Sequence, residues 1–221
     1  MEKQPFDIAV ALEAVREAVR PYPQAGLFAL AEEGFQSPFE ILMACILSIR
    51  TLDEVMLPAA RRLLAAARTP TEVGRMTPDE IEALVRTCAF CDRKARQIHA
   101  IAQRVVDDYG GVLPCDEETL LSFTGVGPKC ANLVLSIACG QPRIGVDVHV
   151  HRVVNRWGYV QTSTPEATLA ALQTRIPPQY HTEINRVVMP FGKYVCLRDR
   201  PLCSTCPVLD MCQQVGVTAH R

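Results

Sequence analysis

Phe123-Thr124-Gly125-Val126-Gly127-Pro128-Lys129-Cys130-Ala131 lies between two apolar stretches with helical spacing, and its reading decides the fold. Two glycines around one apolar residue permit a tight reversal with backbone N–H groups turned outward. Pro128 suits the first position of the helix that follows. Outward amides at a helix N-terminus form an anion site, so Gly125, Val126 and Gly127 can meet a phosphate without any arginine. Lys129 then opens a helix whose remainder, Ala131 to Ala138, is largely apolar. A cation there faces the unfavourable end of the helix dipole, which favours the neutral amine. Imine chemistry requires that form. A phosphate contact or a solvated surface residue is the commoner fate of a lysine in this place.

Outward from the hairpin, nearly every boundary is a helix boundary. Ser37-Pro38-Phe39-Glu40 and Thr77-Pro78-Asp79-Glu80 each offer a hydroxyl N-cap, a proline at the first helical position and a capping-box glutamate. Ser163-Thr164-Pro165-Glu166 carries the same chemistry, with either hydroxyl as cap. Ile98, Ile101, Ala102 and Val105 keep a 3.6-residue period that Gly110-Gly111 ends. No alternating strand pattern occurs, so the chain reads as all-α with roughly ten helices and short loops. No apolar run reaches bilayer length. The early acids of the N-terminal stretch suit a helix rather than a signal peptide, which implies a cytoplasmic, nucleoid-associated protein. A net charge of −1 does not advertise nucleic-acid binding, so such a reading needs a local basic face.

Downstream, Gly145-Val146-Asp147-Val148-His149-Val150-His151-Arg152 places Asp147 at an N-cap, where helix amides keep a carboxylate ionised. A plain capping aspartate is the simpler reading. Cys196, Cys203, Cys206 and Cys212 follow C-x6-C-x2-C-x5-C. In a reducing compartment, four clustered thiols point to metal ligation rather than disulfides. Thiolate chemistry alone suits Zn²⁺ and a [4Fe–4S] cluster equally. Pinned at both ends, the loop between the first two ligands can present Arg198 and Arg200 to phosphates.

Taken in order, G-V-G-x-K, V-D-x-H-x-x-R and the four cysteines resemble the endonuclease III branch of the helix–hairpin–helix–GPD DNA glycosylases. The resemblance runs from about Ser37 to Cys212 and includes Asp53, Lys94-Ala95, Asn155-Arg156 and Gly192. It implies a two-domain fold: a six-helix barrel over 31–141, and an iron–sulfur domain built from 1–30 and 142–221. It also implies a [4Fe–4S] cluster on the four cysteines. The partner would be double-stranded DNA with damaged pyrimidines or abasic sites, kinked, with the lesion flipped out, and the enzyme a monomer. Lys129 would attack C1′ of an oxidised pyrimidine nucleotide, and the Schiff base would permit β-elimination. Asp147 would activate the lysine and offset charge developing on the sugar. His149 matches a position lining the family's site, and Arg152 a further shared position with a DNA role.

Several residues depart from that pattern. Arg50 stands where relatives usually carry a glutamine that helps fill the gap left by the flipped nucleotide. It reads as a contact to the orphaned base or to a phosphate. Ala89-Phe90 replaces a glycine-plus-apolar pair, with Phe90 either a wedge in the base stack or a core residue. Thr124 replaces a proline and Val148 a threonine. Cys45, Cys130 and Cys139 read as buried small hydrophobes. Cys88 and Cys91 read as a coincidental C-x2-C, and Trp157 and Tyr159 as core. Two other functions compete: a monofunctional glycosylase in which Lys129 only touches phosphate, and a non-catalytic damage binder.

Overall fold

The computed structural model describes residues 3–221, and among them there is no strand. The helices are α1 (Ile8–Val19), α2 (Gly26–Glu32), α3 (Pro38–Ser48), α4 (Asp53–Ala66), α5 (Pro70–Arg75), α6 (Pro78–Val85), α7 (Cys91–Tyr109), α8 (Glu117–Leu121), α9 (Pro128–Ile137), α10 (Val148–Arg156), α11 (Pro165–Arg175), α12 (His181–Glu183) and α13 (Met189–Tyr194). A π-helical turn, Ile184–Val188, joins the last two. No helix among the described residues is long and apolar enough to cross a membrane. The chain forms two compact units: Gly26–Gln141, and Pro142–Arg221 with the segment through Ala25.

In the unit Gly26–Gln141, α3 is buried on every side from Phe39 to Leu47, as a helix apolar all round must be. It packs against α4, α7 and α9. Its start is the expected capping box: the Ser37 hydroxyl accepts from the Glu40 N–H (3.2 Å), and the Glu40 carboxylate accepts from the Ser37 N–H (2.9 Å). Glu40 is itself buried and takes a further bond from Arg68 Nε (2.7 Å). Thr77 repeats the box on α6, and so does Thr69 on α5. Gly110 ends α7 in the left-handed region (φ 61°), its N–H bonded to Val105 O.

One cysteine expectation is overturned. Cys139 is not a buried hydrophobe; it forms a disulfide with the exposed Cys115, with 24 residues of separation. The bridge closes a loop around α8, the hairpin and α9. A loop of that length is worth about 3.5 kcal/mol in the chain-entropy account. Cys115→Ser should therefore lower the melting midpoint by several degrees relative to the oxidised wild type, and reductant should have the same effect. Identical melting curves for oxidised, reduced and substituted protein would show that the bridge carries no stability.

In the second unit, α1 packs on the π-turn, where Arg16 Nε donates to Glu183 (2.8 Å). Trp157 is buried between Phe6 and Phe191, while Tyr159 is half-buried beside Phe6. Thr164, rather than Ser163, caps α11.

Candidate functional site

The hairpin between α8 and α9 is built as its residues require. Gly125 sits at φ +80°, and a Cβ there would come within 2.8 Å of Gln97 Nε2. Gln97 in turn donates to Thr124 O (2.7 Å) and holds the turn. Val126 is buried and anchors the reversal, its N–H bonded to Phe123 O. Gly127 is the N-cap of α9 and supplies no side-chain bond. The first turn of this ten-residue helix thus keeps its amides for another acceptor.

Lys129 is the second residue of α9 and is half-buried. Its charge reaches the seam between α3 and α9, where Cys45 and Cys130 lie buried side by side. The hydrogen bond between the two thiols holds Cys45 down, with Lys129 adding a smaller pull, while that same bond and burial push Cys130 up. The helix presenting Lys129 is apolar behind it, with Leu133, Val134 and Leu135 all buried.

Two exposed residues project from the same unit. Arg50 (φ 51°) follows the end of α3 and Phe90 (φ 57°) is the N-cap of α7, both in the left-handed region. Phe90 is 57% exposed, which removes the core reading of that residue. The Arg50 guanidinium lies 6.0 Å from the centre of its ring. Ile49 and Leu52 are exposed alongside Arg50 in sequence. Cys88 is buried and Cys91 half-buried, and both are unbridged.

In the other unit, Asp147 caps α10. Its Oδ1 accepts from the N–H groups of His149 (3.0 Å) and Val150 (2.8 Å). His149 is half-buried, and burial holds its imidazole below the usual range. Its Nδ1 lies 3.2 Å from Arg152 Nη2. That nitrogen also donates to Gly192 O (2.7 Å) and Cys196 O (3.1 Å), so the Arg152 guanidinium fastens α10 to the end of α13. Gly192 permits the approach, since a Cβ there would meet His149 Cβ at 2.8 Å. His151 lies against Thr168 (2.6 Å).

Cys196, Cys203, Cys206 and Cys212 are unbridged and line one recess of about 340 Å³ counted to its open mouth. Trp157, Phe191, Leu209 and Val217 form its apolar wall. Gln214 N donates to Cys212 Sγ (3.3 Å) and Arg156 Nη1 to Cys196 Sγ (3.7 Å). Such donors stabilise sulfur as thiolate. Burial pushes Cys196 and Cys212 up, and Cys206 to about 11, so the recess opposes uncompensated thiolates. A cationic metal centre supplies that compensation. Among the described residues, no three His, Cys, Asp or Glu side chains converge in a way that could hold a metal ion. Four unbridged thiols around one recess are a soft donor set whose chemistry suits zinc or an iron–sulfur cluster. Arg156 also donates to Leu197 O and Arg198 O, which ties down the loop on which Arg198 and Arg200 are exposed.

The family described as HhH-GPD superfamily base excision DNA repair protein matches residues 43–178. Endonuclease III of Thermotoga maritima is 35% identical over 201 residues, 91% of each chain. The chain belongs to the endonuclease III family. It is an enzyme of base excision repair, a DNA glycosylase with abasic-site lyase activity. Endonuclease III of Escherichia coli (strain K12) is 30% identical over 182 residues, 82% of this chain and 86% of that one. A solved structure of a trapped endonuclease III–DNA covalent intermediate, an estranged-adenine complex, superimposes with a TM-score of 0.81. It is 30% identical and covers 94% of both chains.

Two residues of this endonuclease III-family chain have roles that sequence reading did not find. Arg156 braces the cysteine loop, and Lys94 is buried with its ammonium fully bonded. Both act on backbone carbonyls remote in sequence, and no local pattern signals such partners.

Proposed function

We propose that this chain excises oxidised pyrimidines of the thymine glycol type from double-stranded DNA and then cleaves the strand at the resulting abasic site. The observation that carries the proposal is Lys129, half-buried on the first turn of α9 directly after the uncapped hairpin. A relative of the same fold has been caught as a covalent DNA intermediate, which supports a nucleophilic lysine here.

The chemistry follows from the amine. Lys129 Nζ bonds to C1′ as the bond from C1′ to the base breaks, and the base leaves with the electron pair. Opening of the sugar ring gives an imine between Nζ and C1′. The imine acidifies the C2′ proton, and its removal expels the 3′ phosphate. Asp147 takes the carboxylate role, offsetting positive charge on the sugar and receiving the lysine proton. The hairpin amides of Gly125, Val126 and Gly127 take a phosphate. Arg50, Phe90, His149, Arg152, Arg198 and Arg200 are the remaining candidate DNA contacts. Of these, Arg152 is already bonded to Gly192 and Cys196, which suits support of the loop more than a phosphate contact.

Cys196, Cys203, Cys206 and Cys212 would hold a [4Fe–4S] cluster, which supplies a fixed anchor for the loop carrying Arg198 and Arg200. The enzyme acts as a monomer in the cytoplasm, at the nucleoid. The test is a glycosylase assay on duplexes carrying thymine glycol, dihydrouracil, uracil or 8-oxoguanine, each opposite all four bases. Release of the oxidised pyrimidines at rates at least about tenfold above the rest is expected, since a built pocket separates such substrates by one or more kcal/mol. Preferential release of uracil or of a purine lesion would refute the assignment of substrate.

A further inference from the structure

Lys94 is 4% exposed, yet its ammonium uses all three donors. It donates to Leu47 O (2.8 Å), Ile49 O (2.7 Å) and Thr51 Oγ1 (2.9 Å). The first acceptor belongs to the last turn of α3 and the second to its C-cap, where a cation satisfies orphan carbonyls and meets the favourable end of the dipole. The second and third lie on either side of Arg50. To bring Ile49 O and Thr51 Oγ1 to one ammonium, the backbone reverses between them, and Arg50 stands at φ 51°. A non-glycine residue holds that conformation only where its surroundings impose it.

The same ammonium reaches the second exposed residue. Thr51 Oγ1 also accepts from Ala89 N (3.3 Å), the amide just before Phe90. The backbone N–H of Lys94 bonds to Phe90 O (3.0 Å), the first closed turn of α7. Phe90 is likewise in the left-handed region, with its ring 6.0 Å from the Arg50 guanidinium. One buried side chain and one hydroxyl thus fix two exposed, conformationally costly residues relative to each other.

We infer that Lys94 is a positioning residue for DNA engagement: through Thr51 it fastens the two turns that present Arg50 and Phe90 as a single unit. The inference rests on the reading above in which Arg50 and Phe90 face the DNA. Lys94 touches no substrate and acts only through them.

The test is a cycle of variants on a duplex containing a tetrahydrofuran abasic analogue, with Kd as readout and melting as control for folding. Arg50→Ala/Phe90→Ala should weaken binding by about tenfold or more, the scale of losing anchor contacts. Lys94→Met should weaken wild-type binding comparably. Added to the Arg50→Ala/Phe90→Ala protein, it should change Kd by less than roughly twofold, the scatter of independent sites. Should Lys94→Met fail to fold, Thr51→Val serves in its place, and Thr51→Ser, which keeps the hydroxyl, should restore affinity. If Lys94→Met or Thr51→Val weakens binding equally in both backgrounds, or not at all, the positioning role is overturned while the Arg50 and Phe90 reading stands. If Arg50→Ala/Phe90→Ala binds like wild type, the reading beneath it fails and the positioning role with it.

Discussion

Lys129→Ala is expected to abolish strand cleavage at an abasic site while leaving DNA binding nearly intact. Without the amine no imine forms, and the C2′ proton is no longer acidified. Loss of a covalent nucleophile costs roughly 10³-fold or more in the chemical step. The proposed phosphate site should survive, because it would be made of hairpin amides around Gly125 and Gly127 rather than of the lysine side chain. Lys129→Arg sharpens the result. A guanidinium keeps the charge but stays protonated and non-nucleophilic, so it should be as inactive as alanine. Single-turnover cleavage at saturating protein separates the two effects. Cleavage by Lys129→Ala within a few-fold of wild type would mean that the nucleophile lies elsewhere. Base release retained with cleavage lost would favour the monofunctional alternative.

The second large effect concerns the cysteine recess. Beyond Val195 the chain has little regular structure: a single 3₁₀ turn at Cys203–Thr205, with loops and turns on either side. If the four thiols hold the proposed cluster, the segment gains order from it, and ligation free energies for structural sites are on the order of 10 kcal/mol. On that reading the wild type should be brown with iron and sulfide, and Cys206→Ala should give a colourless protein. It should also melt at a markedly lower temperature and bind DNA weakly, because Arg198 and Arg200 lose their anchored loop. A colourless wild-type protein with stoichiometric zinc would contradict the iron–sulfur assignment. A Cys206→Ala protein as stable as wild type would show that the recess is not a structural metal site.

Much of this architecture is legible in the sequence because its determinants are local. A hydroxyl three residues before a glutamate is sufficient to mark α3 and α6, and Gly110 marks the end of α7. The G-V-G turn and the cysteine spacing are equally local, and the structure gathers all four thiols into one recess. What escaped depends on distant pairing. Nothing in the sequence links Cys115 to Cys139, since ten cysteines allow many pairings. Lys94 is part of the family resemblance, but its partners on α3 show only once α3 is folded against α7. The exposure of Phe90 follows from a left-handed N-cap, which residue type alone does not announce. The π-turn after α12 likewise has no signature that periodicity detects.

Lys129 carries the central claim, and borohydride reduction during turnover tests it most directly. Wild-type protein and an abasic duplex, reduced in situ, should yield a covalent protein–DNA adduct, and peptide mapping should place the modified amine on Lys129. No adduct from protein with its full complement of iron and sulfide, or an adduct mapped to any other residue, would contradict the account.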